Sequence, residues 1–204
     1  MAIQNLADLR AAIQDWMYDR PDMAGACGTI IDLCHADLNK VLRTRRQLTD
    51  VTLALDANGQ ADLPDDYQQF RQVVSLSNPI RVLNFVVPDY RDYEHPFTAS
   101  GLASDFSIDG NQITVRPNST DDIRLTYWAK IPALVNDDDT NWLLQSDPGI
   151  YLYGSLKHAG IYMGDEQRAA TAGAMFNGLL DALVREDNNA MYSSGRMRTR
   201  GVTP

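Results

Sequence analysis

Two cysteines, Cys27 and Cys34, and three histidines, His35, His95 and His158, are the side chains of this sequence best suited to nucleophilic or metal chemistry. A thiol nucleophile needs a base or positive charge beside it, and a structural zinc site needs four ligands at short, paired spacings. Cys27 and Cys34 fall in a stretch of helical periodicity, two turns apart, which separates them by about 10.5 Å along one helix face. That exceeds disulfide reach, and a free thiol on an inner helix face packs as a small hydrophobe. His35 adjoins Cys34, but the set matches no zinc spacing and no second cluster follows. His95 stands in Glu94-His95-Pro96-Phe97 and His158 in a tyrosine-rich helix. Neither has a sequence partner that marks a catalytic or metal constellation, so each is read as structural.

The carboxylates point the same way. Asp65-Asp66 and Asp121-Asp122 lie at turns, where aspartate hydrogen-bonds its own backbone. Asp137-Asp138-Asp139 lacks the glycine and distal glutamate of a calcium loop and is read as a solvated loop or as acid gathered at a helix start. The glycine-containing strings match neither a phosphate-cradling loop nor a dinucleotide fingerprint. The expectation is a protein that is not an enzyme, with no catalytic residue, metal ligand or cofactor.

The elements that hold these residues follow from periodicity. Leu6, Leu9, Ile13, Trp16 and Met17 repeat at the helical period behind Asn5, a capping residue. Arg20-Pro21-Asp22 breaks that helix, and a second runs to about Arg45 with Cys27, Ile30, Ile31, Cys34, Leu38, Val41 and Leu42 on its inner face. From Asp50 the period becomes two. About six short strands are expected, among them 72–76, 80–87, a hairpin turning at Asp109-Gly110-Asn111, and 123–129. A short helical turn is expected between Leu63 and Phe70. Helices return at 148–163 and 165–186. Gly154, Gly160 and Gly164 weaken the first of these by about 1 kcal/mol each relative to alanine, so neighbours must pack on it.

The expected fold class is α+β: an antiparallel bundle of about four helices, a small inserted antiparallel β domain, and an extended C-terminal tail. The boundaries are 1–48 for the N-terminal helical pair, 49–131 for the β domain, 132–187 for the loop and C-terminal helices, and 188–204 for the basic tail. Net charge is −9, which argues against a nucleic-acid-binding body. Residues 188–204 carry Arg196, Arg198 and Arg200 and no acid, leaving 15 basic against 27 acidic residues elsewhere. No apolar run approaches the ~20 residues of a membrane span, and the N-terminus lacks a signal-peptide layout, so the chain reads as cytoplasmic in origin.

Several strings, in order, carry a family likeness. They are Trp16 followed by Arg20-Pro21-Asp22, the basic end 42–46, and 62–67 with 71–76. Then come 106–117, 123–128 with 131–134, 141–144 and 151–156. Together they resemble the head–tail adaptor (connector, or head-completion) proteins of tailed bacteriophages, most of all those of short-tailed phages. The resemblance implies a ring of about twelve copies beneath the portal, at the head–tail junction of a virion assembled in the host cytoplasm. It implies partners in the portal ring, in tail or nozzle proteins and in further copies of the chain. Genomic DNA would pass through without sequence-specific binding, and no membrane is involved. An acidic body suits a channel that does not grip phosphates.

On this reading Tyr192, Arg196, Met197, Arg198 and Arg200 dock the tail on the portal. Trp16, Trp142, Tyr151 and Tyr153 pack either in the core or between subunits. Two other readings stand beside it: a tail-tube or tail-completion ring component, and a carbohydrate-binding virion protein suggested by Tyr90, Tyr93 and Trp128. Strand alternation at Tyr127 and Trp128 discriminates the last, because side chains on opposite faces cannot share a platform.

Overall fold

The computed structural model describes residues 3–18, 20–95 and 99–192, with the side chains of 21–24 and 192 outside the description. In chain order the elements are α1 (Leu6–Trp16), α2 (Pro21–Val41), a 3-10 turn (Arg45–Gln47), β1 (Leu48–Leu53), β2 (Gln60–Asp62), β3 (Tyr67–Ser75), β4 (Arg81–Val82) and β5 (Asn84–Phe85). There follow α3 (Pro88–Glu94), β6 (Asp105–Asp109), β7 (Gln112–Arg116), β8 (Ile123–Ala129), α4 (Trp142–Ser146), α5 (Pro148–Tyr162) and α6 (Glu166–Tyr192). The α+β class is as expected. The chain forms two compact units, Met1–Arg46 with Ile131–Pro204, and Gln47–Lys130.

In the helical unit, α1 starts where its first backbone donors are satisfied. The Asn5 side chain accepts from the Asp8 N–H at 2.8 Å, and the carbonyls of Asp139 and Asp137 accept from the Leu6 and Ala7 N–H groups at 3.0 Å each. The Asp139 carboxylate in turn accepts from the Val135 and Asn136 N–H groups at 2.8 Å each. The acidic run is thus a folded cap for a helix start, and Asp137 also pairs with Arg10.

Helix α5 is the centre of this unit, in contact with α1, α2, α4 and α6. Ile150, Tyr151, Leu152, Leu156 and Ala159 are buried around its circumference, the distribution of a helix enclosed on all sides. A Cβ on Gly154 would collide with Cys34 Sγ and come within 2.8 Å of the Phe176 ring, and one on Gly160 would come within 2.8 Å of the Ala169 nitrogen. The helix weakest in isolation is therefore the one its neighbours approach most closely. Among the described residues five helices, counting the short α4, line this core. The expectation of about four had missed α4, a single turn capped by Asn141, whose side chain accepts from the Leu144 N–H at 2.9 Å.

α6 continues through Tyr192, so residues 188–192 of the expected extended tail are helical. Apolar periodicity fades after Val184, but no glycine or proline stands before Gly195. Adding a residue to an existing helix costs far less than starting one.

The other unit is two four-stranded sheets, ordered β1-β8-β3-β4 and β2-β7-β6-β5. Val73, Ile123, Leu125 and Tyr127 of the first share a core with Phe106, Ile113 and Val115 of the second. Eight strands form among the described residues, against about six expected. The expected strand 80–87 divides. β4 pairs with β3, Leu83 still donates to the Val73 carbonyl at 2.9 Å, and Asn84 already donates to Ser104 at 2.9 Å. The chain therefore passes from one sheet to the other within two residues, and β5 pairs with β6 in parallel, a departure from the all-antiparallel expectation. The helical turn expected before Phe70 is one turn closed by Tyr67 N–H to the Pro64 carbonyl at 2.9 Å, after which β3 begins. The β6–β7 hairpin turns where expected, with Gly110 at φ 58 in the left-handed region that glycine tolerates.

Candidate interaction surfaces

Helix α1 ends in an unusual way. Met17 is its C-cap, and the next residue, Tyr18, takes φ 60. That position is commonly glycine, because a Cβ there costs roughly 1–2 kcal/mol. Tyr18 is 78 % exposed, and its ring gains a cation–π contact with Arg168, whose guanidinium lies 5.2 Å from the ring centroid. Trp16, 49 % exposed, meets Tyr153 edge to face at 5.7 Å. With Leu156, Thr171, Ala172 and Met175 these residues line a groove of about 380 Å³ between the end of α1, α5 and α6. Exposed aromatic side chains beside a residue held in the left-handed region make this groove a candidate surface for contact.

The other residues singled out from the sequence fall elsewhere. Tyr151 is fully buried in the helical core, so it cannot line a subunit surface of the folded unit. Trp142 is half-buried, with the Arg46 guanidinium 5.7 Å from its ring centroid. It borders a second, polar cavity of about 250 Å³ where Arg45 Nε lies 3.4 Å from Asp187. Tyr192 closes α6; its side chain, with Arg196, Met197, Arg198 and Arg200, lies outside the described residues. Tyr127 is buried, its hydroxyl donating to Asp66 at 2.9 Å and pushed up to about 12 by burial and that carboxylate. Trp128 stands half-buried on the opposite face, so the two do not form one platform. Tyr90 and Tyr93, stacked at 5.9 Å, are the exposed aromatic pair of α3.

The groups able to do chemistry have structural partners. Burial pushes the Cys34 thiol up to about 12, and burial also raises Cys27; neither is poised as a thiolate. His158 Nε2 lies 3.0 Å from Asp37, which accepts from Lys157 Nζ at 2.8 Å. The Lys157 hydrogen bond is the main cause holding the Asp37 carboxyl below its ordinary 3.8. A depressed carboxylate contributes stability that is present above the unfolded value and lost as pH falls through the folded one. Asp37→Asn is therefore expected to cost about 1 kcal/mol or less at pH 7, given partial exposure. That difference should shrink as pH falls below 3.8 and vanish below the depressed folded value, which paired thermal melts across a pH series would show.

What the fold defines is a two-unit α+β protein with exposed aromatic side chains on each unit. The chain belongs to the SU10 adaptor protein family, whose family model matches residues 4–200. It is a phage head–tail adaptor family, so the protein is a structural component of a virion that interacts with other virion proteins. No curated protein matches the chain. Among the described residues no helix is long and apolar enough to cross a membrane.

Proposed function

We propose that the protein is a head–tail adaptor that forms a ring of about twelve copies beneath the portal. The ring extends or seals the DNA channel and provides the tail with its attachment surface. The observation that supports self-association is the exposed aromatic groove at Trp16, Tyr18, Tyr153 and Met175, which we assign to a second copy of the chain. Its cation, Arg168, which also reaches Asp165 at 3.5 Å, lies at the C-terminal end of α1. The Asp137–Asp139 loop, with exposed Val135 beside it, lies at the N-terminal end. Eleven residues of helix set the two about 16 Å apart. An exposed aromatic groove at one end of the helix and an acidic loop with exposed Val135 at the other support head-to-tail contact, the kind a closed ring repeats.

Portal docking falls to Tyr192 and to Arg196, Met197, Arg198 and Arg200. Residues 193–204 follow directly from α6 and, fully extended, would reach about 40 Å. Their three arginines and Met197, with Tyr192 just before them, suit an acidic groove on a partner. An acidic body, net −9, suits passage of DNA without phosphate grip.

Native mass spectrometry of the chain mixed with the portal ring of the same particle, at low salt, tests this. One adaptor per portal subunit is the expected stoichiometry. A chain ending at Tyr192 should stay folded and lose attachment. Tyr18→Gly should be as stable as the parent or gain about 1 kcal/mol from relieved backbone strain, yet give incomplete rings. Full portal binding by the truncated chain would overturn the docking role. No portal complex at all would shift the assignment to a tail-completion component.

A further inference from the structure

Helix α3 in the β unit buries none of its residues. Polar contacts attach it to β6: Arg91 Nη1 donates to Ser107 Oγ at 2.8 Å, and His95 Nε2 lies 3.1 Å from Asp105 Oδ2. Glu94 completes a cluster with His95 and Asp105 whose three ligand atoms all lie within 4.8 Å of one another. We propose that Glu94, His95 and Asp105 bind a divalent transition-metal ion of the zinc class and so fasten α3 to the sheet.

The geometry and the donor set agree on the ion. Tetrahedral zinc with bonds of about 2.0–2.1 Å places its ligand atoms about 3.3 Å apart. The His95–Asp105 separation is already close to that edge length. Glu94 is exposed, so its carboxylate closes the remaining distance by rotation of its own side chain. One imidazole and two carboxylates neutralise a 2+ charge. They are too few and too nitrogenous for calcium, which takes six to eight oxygens. A water fills the fourth position.

Asp105 is also oriented in the way metal carboxylates are. Ser104 Oγ donates to Oδ2, and Asn84 Nδ2 donates to Oδ1 at 3.4 Å. Outer contacts of this kind tune a site by roughly ten- to a hundredfold.

The test is zinc titration of the chelator-treated full chain, followed by native mass spectrometry and by thermal melting. The expected result is one zinc per chain and a zinc-dependent rise in melting temperature that magnesium does not reproduce. His95→Ala and Asp105→Asn should each abolish both effects, and Ser104→Ala should weaken binding about tenfold. His158→Ala should leave binding intact. Glu94→Gln changes an exposed side chain without threatening the fold, so its expected tenfold or greater loss decides the matter even if His95→Ala misfolds. Absence of zinc binding at micromolar concentration, or binding unchanged in Glu94→Gln or in folded His95→Ala, would overturn the proposal.

Discussion

Tyr151→Ala is expected to remove about 3–5 kcal/mol from the helical unit, the usual cost of deleting a large aromatic side chain from a closed core. Tyr151 is fully buried on the helix that every other helix of the unit touches. It also organises a small polar network. Its hydroxyl accepts from Asn141 Nδ2 at 2.9 Å and lies 2.9 Å from His35 Nδ1, while its ring stacks on the His35 imidazole at 6.2 Å. Asn141 in turn caps α4 and donates to the Pro132 carbonyl at 2.9 Å. The hydroxyl and His35 Nδ1 share one hydrogen bond, whose direction is set by the ring tautomer. Burial lowers the His35 pKa and raises that of Tyr151, so both members stay neutral near pH 7.

Tyr151→Phe separates the two contributions. It keeps the ring and leaves buried polar groups of His35 and Asn141 without this partner, an expected loss of about 1–3 kcal/mol. Urea unfolding of both variants measures the difference. A Tyr151→Phe chain as stable as the parent would show that the network is energetically silent and that packing alone fixes α5.

Gly160→Ala should destabilise the same unit by about 2–3 kcal/mol, although alanine is the better helix former by about 1 kcal/mol. The new methyl would stand 2.8 Å from the Ala169 nitrogen and 2.9 Å from its Cα. Those are backbone atoms of α6 and cannot rotate aside. The connection offers no slack either, since the Asp165 N–H donates to the Gly160 carbonyl at 2.9 Å and Gly164 turns at φ 71. Relief would require α5 and α6 to part. Gly178→Ala is the internal control: nothing lies within 4 Å of its Cβ position, and a gain of about 0.5–1 kcal/mol is expected. Thermal melts of the two variants should shift in opposite directions. A stabilised Gly160→Ala chain would mean that the helices are less closely apposed.

Local pattern was readable wherever the structure obeys it locally. The Asn5 cap, the inner face of α2 with its two thiols (except Val41, which is exposed), the Gly110 hairpin and the alternation of Ile123, Leu125 and Tyr127 each depend on neighbours within a turn or a strand. The strings, taken in order, resembled the family to which the chain belongs, and that resemblance rather than composition pointed to a structural virion protein. The groove was only half visible. Trp16 and Tyr153 were candidates, but Tyr18 was not, because nothing in its sequence context announces a left-handed tyrosine. Arg168 was likewise missed, since it meets Tyr18 from a helix 150 residues away. His95 looked partnerless because Asp105 lies ten residues on, across a helix end and the start of a strand.

Helical and strand periods, chain charge and capping residues were determined by the sequence alone, since they express free energies set within a few residues. Only the tertiary structure decided that α5 is enclosed on all sides, that residues 81–85 divide between two sheets, and that Glu94, His95 and Asp105 converge. Those outcomes depend on which distant surfaces win the competition for burial and for backbone hydrogen bonds. That competition is settled by the whole fold, so no window of the sequence records it.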